Sequence, residues 1–436
     1  MSSAVHAAVE RLVGGRVVRS EPQARWRPAW FLDVETDAGL LAVYFRGDRG
    51  LGDGVYSLER EADVLRVLEA QGIPVPHVYA FSEEPRGIVM ERAAGQANLA
   101  TASDDSQRAA VLDHYIEILL EMHRIDPAAL ESIGLHMPQG AGELGLADLP
   151  LWEKSFRQQK RRPEPLIEFV LGWLERHVPT HRTRACFVAG DSGQFLFQGP
   201  RVTAVIDLEL AFLGDPLADL AAMRSRDISE PLGDLSRAFA RYAELSGEPI
   251  DSPALHYHTV RFALNTPLAV APLCANPPPG LNFAQYLGWN LVYGRLAVEV
   301  IAELEGVELS KPELPEADGS SHAAAHGALL GMLEGSGERS YEVDTALRVA
   351  QYLREVDRRG PRLEEQDLDE ASALVGRRLR SRSDCDAAVE TLVLALPDAK
   401  QPELLRYLYG RTLRQEALLR PAMRELSDVE FQRIRL

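Results

Sequence analysis

Residues 187–222 read FVAGDSGQFLFQGPRVTAVIDLELAFLGDPLADLAA, and no other stretch restricts the fold of this 436-residue chain as tightly. Phe195, Leu196 and Phe197 form one apolar run, Gly199 and Pro200 turn the chain, and residues 202–206 form a second run. Two short runs joined by such a turn predict a hairpin. A hairpin brings its ends together, so Asp191 and Asp207 are expected to face one cavity. Two carboxylates there, with Gln194 between them in sequence, suit holding a divalent metal and orienting a hydroxyl. Phosphoryl transfer asks for that arrangement, because positioning and charge neutralisation do most of its catalysis. Either Asp alone reads equally as an acid capping a neighbouring element; the full string argues for the site.

The same residues resemble the aminoglycoside phosphotransferase and choline-kinase-like family of small-molecule kinases, which shares the protein-kinase fold. That family carries His-Gly-Asp, an Asn a few residues on, an apolar strand, a turn, Ile-Asp, and then Gly-Asp-Pro-x-x-Asp-Leu-Ala. Here Gly190-Asp191, Ile206-Asp207 and residues 214–221 (GDPLADLA) match in order and roughly in spacing. The resemblance implies Asp191 as the catalytic carboxylate, directed at the acceptor hydroxyl, and Asp207 as the metal-binding one. It implies that Asp215 and Asp219 brace the loop, with Asp215 also placed to cap a helix beginning at Pro216. Two departures stand out. Ala189 occupies the family's His position, and the loop is about two residues short, so Gln194 stands where the metal-binding Asn belongs. Gln offers a carbonyl oxygen to a hard cation, with one more rotatable bond.

The residues upstream read as a kinase-like N-lobe. Residues 17–21, 29–35 and 40–46 read as strands, the last placing Leu41, Val43 and Phe45 on one face and Ala42, Tyr44 and Arg46 on the other. Ser57 caps a helix that carries Glu61, Leu65 and Leu68 on one stripe. Two further short strands end at residues 88–92. By resemblance, Glu61 pairs with a phosphate-binding cation and the backbone of Met90, Glu91 and Arg92 meets adenine. All four lysines (Lys154, Lys160, Lys311, Lys400) lie outside this region, so Arg46 is the substitute cation. The turn expected to cover the phosphates, residues 20–28, has no glycine; Arg25 and Arg27 are the groups there with the reach to contact phosphate.

Downstream the pattern is helical. Residues 111–123 carry apolar side chains at helical spacing, with His123 on the buried side as a hydrogen-bonded core histidine. Residues 253–265 and 283–305 read as two long helices separated by a turn at 274–280. Resemblance places the acceptor pocket among these helices, with Asp227, His258, Arg261, Asn265 and Tyr293 as candidate lining. Residues 306–321 are acidic and rich in Pro, Gly and Ser, the signature of a linker. Beyond them, 323–333, 341–358 and 368–380 are helix-prone. His322 and His326, four apart, are spaced to share a metal on a helix.

These readings combine into an α+β protein-kinase-like two-lobe fold, with a small antiparallel β N-lobe (1–92), a mainly helical C-lobe (93–305), a linker (306–321) and a helical extension (322–436). The expected activity is transfer of the γ-phosphate of ATP, or GTP, to a small-molecule hydroxyl with Mg²⁺. The alternatives are a pseudokinase-like nucleotide-binding or scaffold protein, favoured by Ala189 and the short loop, and a kinase whose acceptor is a hydroxyacyl thioester. A formal charge of −18 argues against nucleic acid and anionic membrane as partners. Three cysteines without metal spacing point to a reducing cytoplasm. No apolar run approaches the roughly 20 residues that span a bilayer, and the helical extension is the expected surface for any homodimer.

Overall fold

In the computed structural model, which describes residues 2–23, 27–48, 56–335, 337, 340–395 and 400–435, the alternating residues near the N-terminus form an antiparallel sheet. Helix α1 (Ser2–Val13) leads into β1 (Gly15–Pro22), β2 (Ala29–Thr36) and β3 (Gly39–Gly47); α2 (Leu58–Ala70), β4 (Val78–Glu83) and β5 (Arg86–Glu91) follow. The strands lie in the order β1-β2-β3-β5-β4. Val43 and Phe45 of β3 face a core built with Leu32 and Val34 of β2 and Val5 and Val9 of α1. Each such side chain contributes roughly 1.5–3 kcal/mol by leaving water. Period-two alternation then turns Tyr44 and Arg46 to the opposite face. Ser57 caps α2 by accepting the N–H of Arg60 at 3.4 Å, which sets Glu61 in the buried first turn.

The chain divides into two compact units. The first comprises Met1–Ala147, Thr180–Asp251 and Gln432–Leu436; the second comprises Asp148–Pro179 and Ser252–Phe431. To the first belong α3 (Asp105–Met122), α4 (Pro127–Glu131) and α5 (Ala141–Leu146). The chain then supplies α6 (Leu149–Gln159) and α7 (Pro165–Arg176) to the second unit before returning. Back in the first unit, β6 (Cys186–Val188) pairs with β9 (Phe212–Gly214), and between them β7 (Phe195–Gln198) and β8 (Arg201–Val205) make the predicted hairpin. Helices α8 (Leu217–Arg226) and α9 (Leu235–Ser246) close this unit.

The second unit is helical: α10 (Ser252–Ala275), α11 (Phe283–Leu304), α12 (Ala323–Gly335), α13 (Tyr341–Val375), α14 (Arg382–Leu394) and α15 (Gln401–Met423). Two helices run further than their sequences predict. α10 continues ten residues past Asn265, through Pro267 and Pro272, and a single α13 replaces the two helices read at 341–358 and 368–380, passing through Pro361. An interior proline removes a backbone bond and costs about 3 kcal/mol. α10 offsets this by burial, since Leu264, Leu268 and Ala271 are all enclosed around its prolines. α13 gains a partner from outside itself: the N–H of Asp318, in the segment between α11 and α12, donates at 3.0 Å to Arg358 O beside the proline turn. His326 lies 3.4 Å from Asp357, and no group of three or more metal-ligating side chains occurs among the described residues. Among them, too, no helix is long and apolar enough to cross a membrane.

Candidate active site

The hairpin delivers both carboxylates to one place. Phe195 pairs with Val205, and beyond the last rung Ile206 N–H donates to Gln194 O at 3.1 Å, so the segments carrying Asp191 and Asp207 leave the hairpin side by side. Gly190 precedes Asp191 with φ +86°, and a Cβ built there would sit 2.2 Å from Leu210 O. Glycine is therefore required, because the loop presses directly on the backbone that follows Asp207.

Side chains from three helices hold this loop. Asp219 of α8, fully buried, accepts the N–H of Ala189 at 3.0 Å and of Gly190 at 3.2 Å. His123, just past α3, bonds the same carboxylate at 3.0 Å through Nε2 and the Tyr242 hydroxyl of α9 at 2.8 Å through Nδ1. Tyr115 of α3 accepts Gly193 N–H and meets the Ser192 hydroxyl, each at 2.8 Å. Asp215 pairs with Arg182 at 2.8 and 2.9 Å and accepts Leu217 N–H at 3.0 Å, capping α8. The Asp191 carboxylate receives Gln194 Nε2 at 2.7 Å and an Arg226 guanidinium nitrogen at 2.9 Å. Burial pushes Asp191 up to about 6, against the pull of Arg226.

Asp207 has φ +60°, a left-handed conformation that Asp tolerates better than most residues. Its carboxylate pairs with Arg46, which also donates to Glu61 at 2.9 Å and to Glu209 at 3.3 Å. Burial raises Asp207, but Arg46, Arg226 and Arg27 outweigh it and hold the group at about 2. Glu61 moves the other way: burial raises it to about 7, Arg46 opposing and the charges of Asp207 and Glu209 adding to the rise.

A cavity of about 490 Å³ is lined by Asp207, Arg46 and Glu61 and by Gln194 and Arg226, the two partners of Asp191; Asp191 itself and Glu209 are not in its wall. Its lining mixes polar and charged groups with the apolar side chains of Phe31, Tyr44, Leu65, Met90 and Ile206. Met90, Glu91 and Arg92 line it as well, but Glu91 N–H donates to His77 O at 2.8 Å and Arg92 N–H to Ala42 O at 3.1 Å. None of the five acceptor candidates is in its walls. Asp227 instead accepts Leu232 N–H and Gln432 Nε2, both at 2.7 Å. His258, Arg261 and Asn265 are buried in α10 and Tyr293 is in α11, with Arg261 paired to Asp148 at 2.6 Å. Arg25 lies outside the described residues.

The sequence reading missed Tyr115, Glu209 and Arg226. For Arg226 a signal exists: it follows Asp219 by seven residues on α8, two turns along the same helix face. Glu209 follows Asp207 by two, but nothing in a strand–turn pattern says that its side chain turns towards Arg46.

Residues 52–256 match the model of the phosphotransferase enzyme family. Over 180 residues the chain is 29% identical to acyl-CoA dehydrogenase family member 10 of Mus musculus, covering 38% of this chain and only 16% of that relative's length. A Ralstonia eutropha structure assigned to the aminoglycoside phosphotransferases superposes with a TM-score of 0.54 at 20% identity, over 71% of this chain and 99% of the other. The aminoglycoside phosphotransferase APH(4)-Ia, in complex with ADP and hygromycin B, gives 0.52 at 16% identity, over 68% and 98%. The fold is protein-kinase-like.

Proposed function

We propose that this chain, whose residues 52–256 match the phosphotransferase enzyme family, transfers the γ-phosphate of ATP or GTP to a hydroxyl of a small molecule. The observation that carries this reading is the cavity lined by Asp207, Gln194 and Arg226, the last two bonded to Asp191 just outside its wall, with Arg46 joining Asp207 to Glu61. The nucleoside would pack on the apolar lining of the cavity. Glu91 and Arg92 spend their N–H groups inside the sheet, so adenine would be read by carbonyls there and by the adjoining Ala93 and Gly95 backbone. Asp191 would accept the proton of the acceptor hydroxyl as its oxygen attacks phosphorus and the nucleoside diphosphate leaves. Arg226 would hold Asp191 in place and favour its ionised form, and Arg46 would bind phosphate oxygens.

The donor set fits Mg²⁺. Arg46 Nη2 touches carboxylate oxygens of both Asp207 and Glu209, so two hard anionic donors already converge on one cationic group. Gln194 spends its amide nitrogen on Asp191 and keeps its carbonyl oxygen for a cation. When bound, the metal would neutralise phosphate charge.

The match to an acyl-CoA dehydrogenase family member favours an acceptor hydroxyl on an acyl thioester over one on an antibiotic. Three free, buried cysteines suit a cytoplasmic setting, and self-association would use the helices beyond residue 322. Calorimetry with ATP and Mg²⁺, using Asp207→Ala as control, comes first. Metal-dependent binding that this variant abolishes, followed by phosphate transfer to a hydroxyacyl thioester, supports the enzyme. Binding without transfer to any hydroxylated acceptor favours the pseudokinase reading, for which Ala189 and the short loop speak. If neither ATP nor GTP binds, the reading falls.

A further inference from the structure

Another cavity, of about 230 Å³, lies wholly within the helical unit, and it shares no lining residue with the cavity described above. The segment leading into α7, together with α11, α13, α14 and α15, walls it. Phe283, Leu287 and Leu291 of α11 recur every four residues, so they stand on one face of that helix and give the cavity an apolar side. A cavity of roughly 150 Å³ already holds a benzene, so this one has room for a ring or a short alkyl chain. A neighbouring cavity of about 310 Å³ shares Tyr352, Arg382, Arg411 and Gln415 as walls.

The charged part of the lining is unbalanced. Arg162, Arg382 and Arg411 stand against Glu164 and Asp386, a surplus of one positive charge in a chain whose formal charge is −18. Both acids are already matched: Arg162 donates to Glu164 at 2.7 Å, and Arg411 pairs with Asp386. Arg382, exposed in the first turn of α14, meets no carboxylate within 4.0 Å among the described residues. The Gln415 amide, with its carbonyl turned to the two arginines, accepts from Arg382 at 2.8 Å and from Arg411 Nε at 3.2 Å. A neutral carbonyl satisfies an N–H but does not offset the charge of a guanidinium. Tyr352 and Asn290 add O–H and N–H donors to the wall, with no protein partner among the described residues. The charges of Arg382 and Arg162 both reach the Tyr352 hydroxyl, and burial holds that phenol above its usual range, so it stays protonated and able to donate.

We propose that this cavity binds a small organic monocarboxylate: the forked guanidinium of Arg382 takes the carboxylate, Tyr352 and Asn290 donate beside it, and an aryl or short alkyl body packs on Phe283, Leu287 and Leu291. One surplus cation suits a single negative charge, whereas a phosphate ester brings up to two. The apolar face of α11 favours an organic anion over a bare inorganic one. The site is independent of phosphotransfer, since every residue in it belongs to the helical unit.

The probes are benzoate and hexanoate, with benzamide as the neutral counterpart of benzoate, each titrated into the full chain by calorimetry and followed by thermal shift. Arg382→Gln should weaken both carboxylates roughly ten- to a hundredfold, and Arg382→Lys, a point charge without the fork, should recover part of the loss. Benzamide should bind the wild type no better than benzoate binds Arg382→Gln. Arg377→Gln removes a neighbouring arginine that pairs with Asp384 at 2.8 Å and is not in the wall; it should leave both affinities unchanged. Leu287→Phe, which fills the apolar side and keeps every charge, should weaken benzoate as well, and it carries the test if Arg382→Gln does not fold. The proposal is overturned if neither carboxylate binds the wild type, or if benzamide binds as tightly as benzoate. It is overturned too if binding survives Arg382→Gln and is lost in Arg46→Gln, which would put the carboxylate in the cavity of the first unit.

Discussion

Two clusters of buried arginines and carboxylates, one in each unit, use the same residue types to different ends. In the helical unit Arg414 donates to Glu370 through both terminal nitrogens, at 2.9 and 2.6 Å, and to Asp367 at 2.5 Å. Arg411 pairs with Asp386 and reaches the Tyr407 hydroxyl at 3.1 Å. Each guanidinium there has carboxylates of its own. In the cavity of the first unit, Arg46 answers to Glu61, Asp207 and Glu209 together. One guanidinium is shared among three acids, and the acids titrate far apart: Asp207 at about 2, Asp191 at about 6 and Glu61 at about 7. Matched charges fasten helices. Unmatched ones leave groups poised to change proton or partner, which is the usual mark of a working site.

The sharpest way to break this comparison is to neutralise one acid of the unmatched cluster. Asp191→Asn keeps the side-chain shape, removes the carboxylate proposed as the base, and should lower turnover by roughly three orders of magnitude while ATP affinity stays within a few-fold, as read by initial rates and calorimetry. Near-normal turnover would take the catalytic role away from Asp191. Next comes the matched cluster, where the effect should fall on stability alone. Arg414→Ala leaves Asp367 unpaired and should cost about 3 kcal/mol in denaturant unfolding, towards the low end for a buried pair because Glu370 is half-exposed. If it lowered KM or kcat at unchanged stability, the division between the two clusters would be wrong.

The pH profile sharpens the contrast further. A base acts deprotonated, so with Asp191 raised from 3.8 to about 6, kcat/KM should fall roughly tenfold per unit below pH 6. An acid limb near 4 would remove burial as the controlling factor. Stability should run the other way through Glu61. Its pKa is raised from 4.5 in the free side chain to about 7 in the fold, so the folded state holds the extra proton in that window. The contribution is present below pH 4.5 and lost as pH rises through 7; Glu61→Gln should flatten that slope in pH-dependent melting curves. The smallest expected effect is that of Tyr115→Phe, which removes the bonds to Ser192 and Gly193 and should cost about 1 kcal/mol and a few-fold in kcat, without touching the Arg414 cluster.

Much of the site was legible in the chain because it is local. The turn at Gly199-Pro200 sets the hairpin, the hairpin sets Asp191 opposite Asp207, and Ser57 sets the helix that carries Glu61. Period two in β3 put Arg46 on the face away from the α1 core, where it meets Glu61 across 15 residues of sequence. The same local logic could not supply Arg27 against Glu209, 182 residues apart, or Tyr115 against Gly193, 78 apart. It also stopped α10 and α13 too early, since propensity reads each proline as an end.

The sequence by itself therefore determined most of the elements, the faces they turn inward, and the hairpin that draws the segments of Asp191 and Asp207 together, all of which follow from periodicity and turn chemistry over a dozen residues or so. Only the tertiary structure decided which cation each acid meets, and so which acid is held at about 2 and which rises to about 7. It alone decided that helices continue through Pro267, Pro272 and Pro361. The physical reason is common to both: burial, and partners brought in from distant sequence, outweigh costs of a few kcal/mol that local preference can register but not offset.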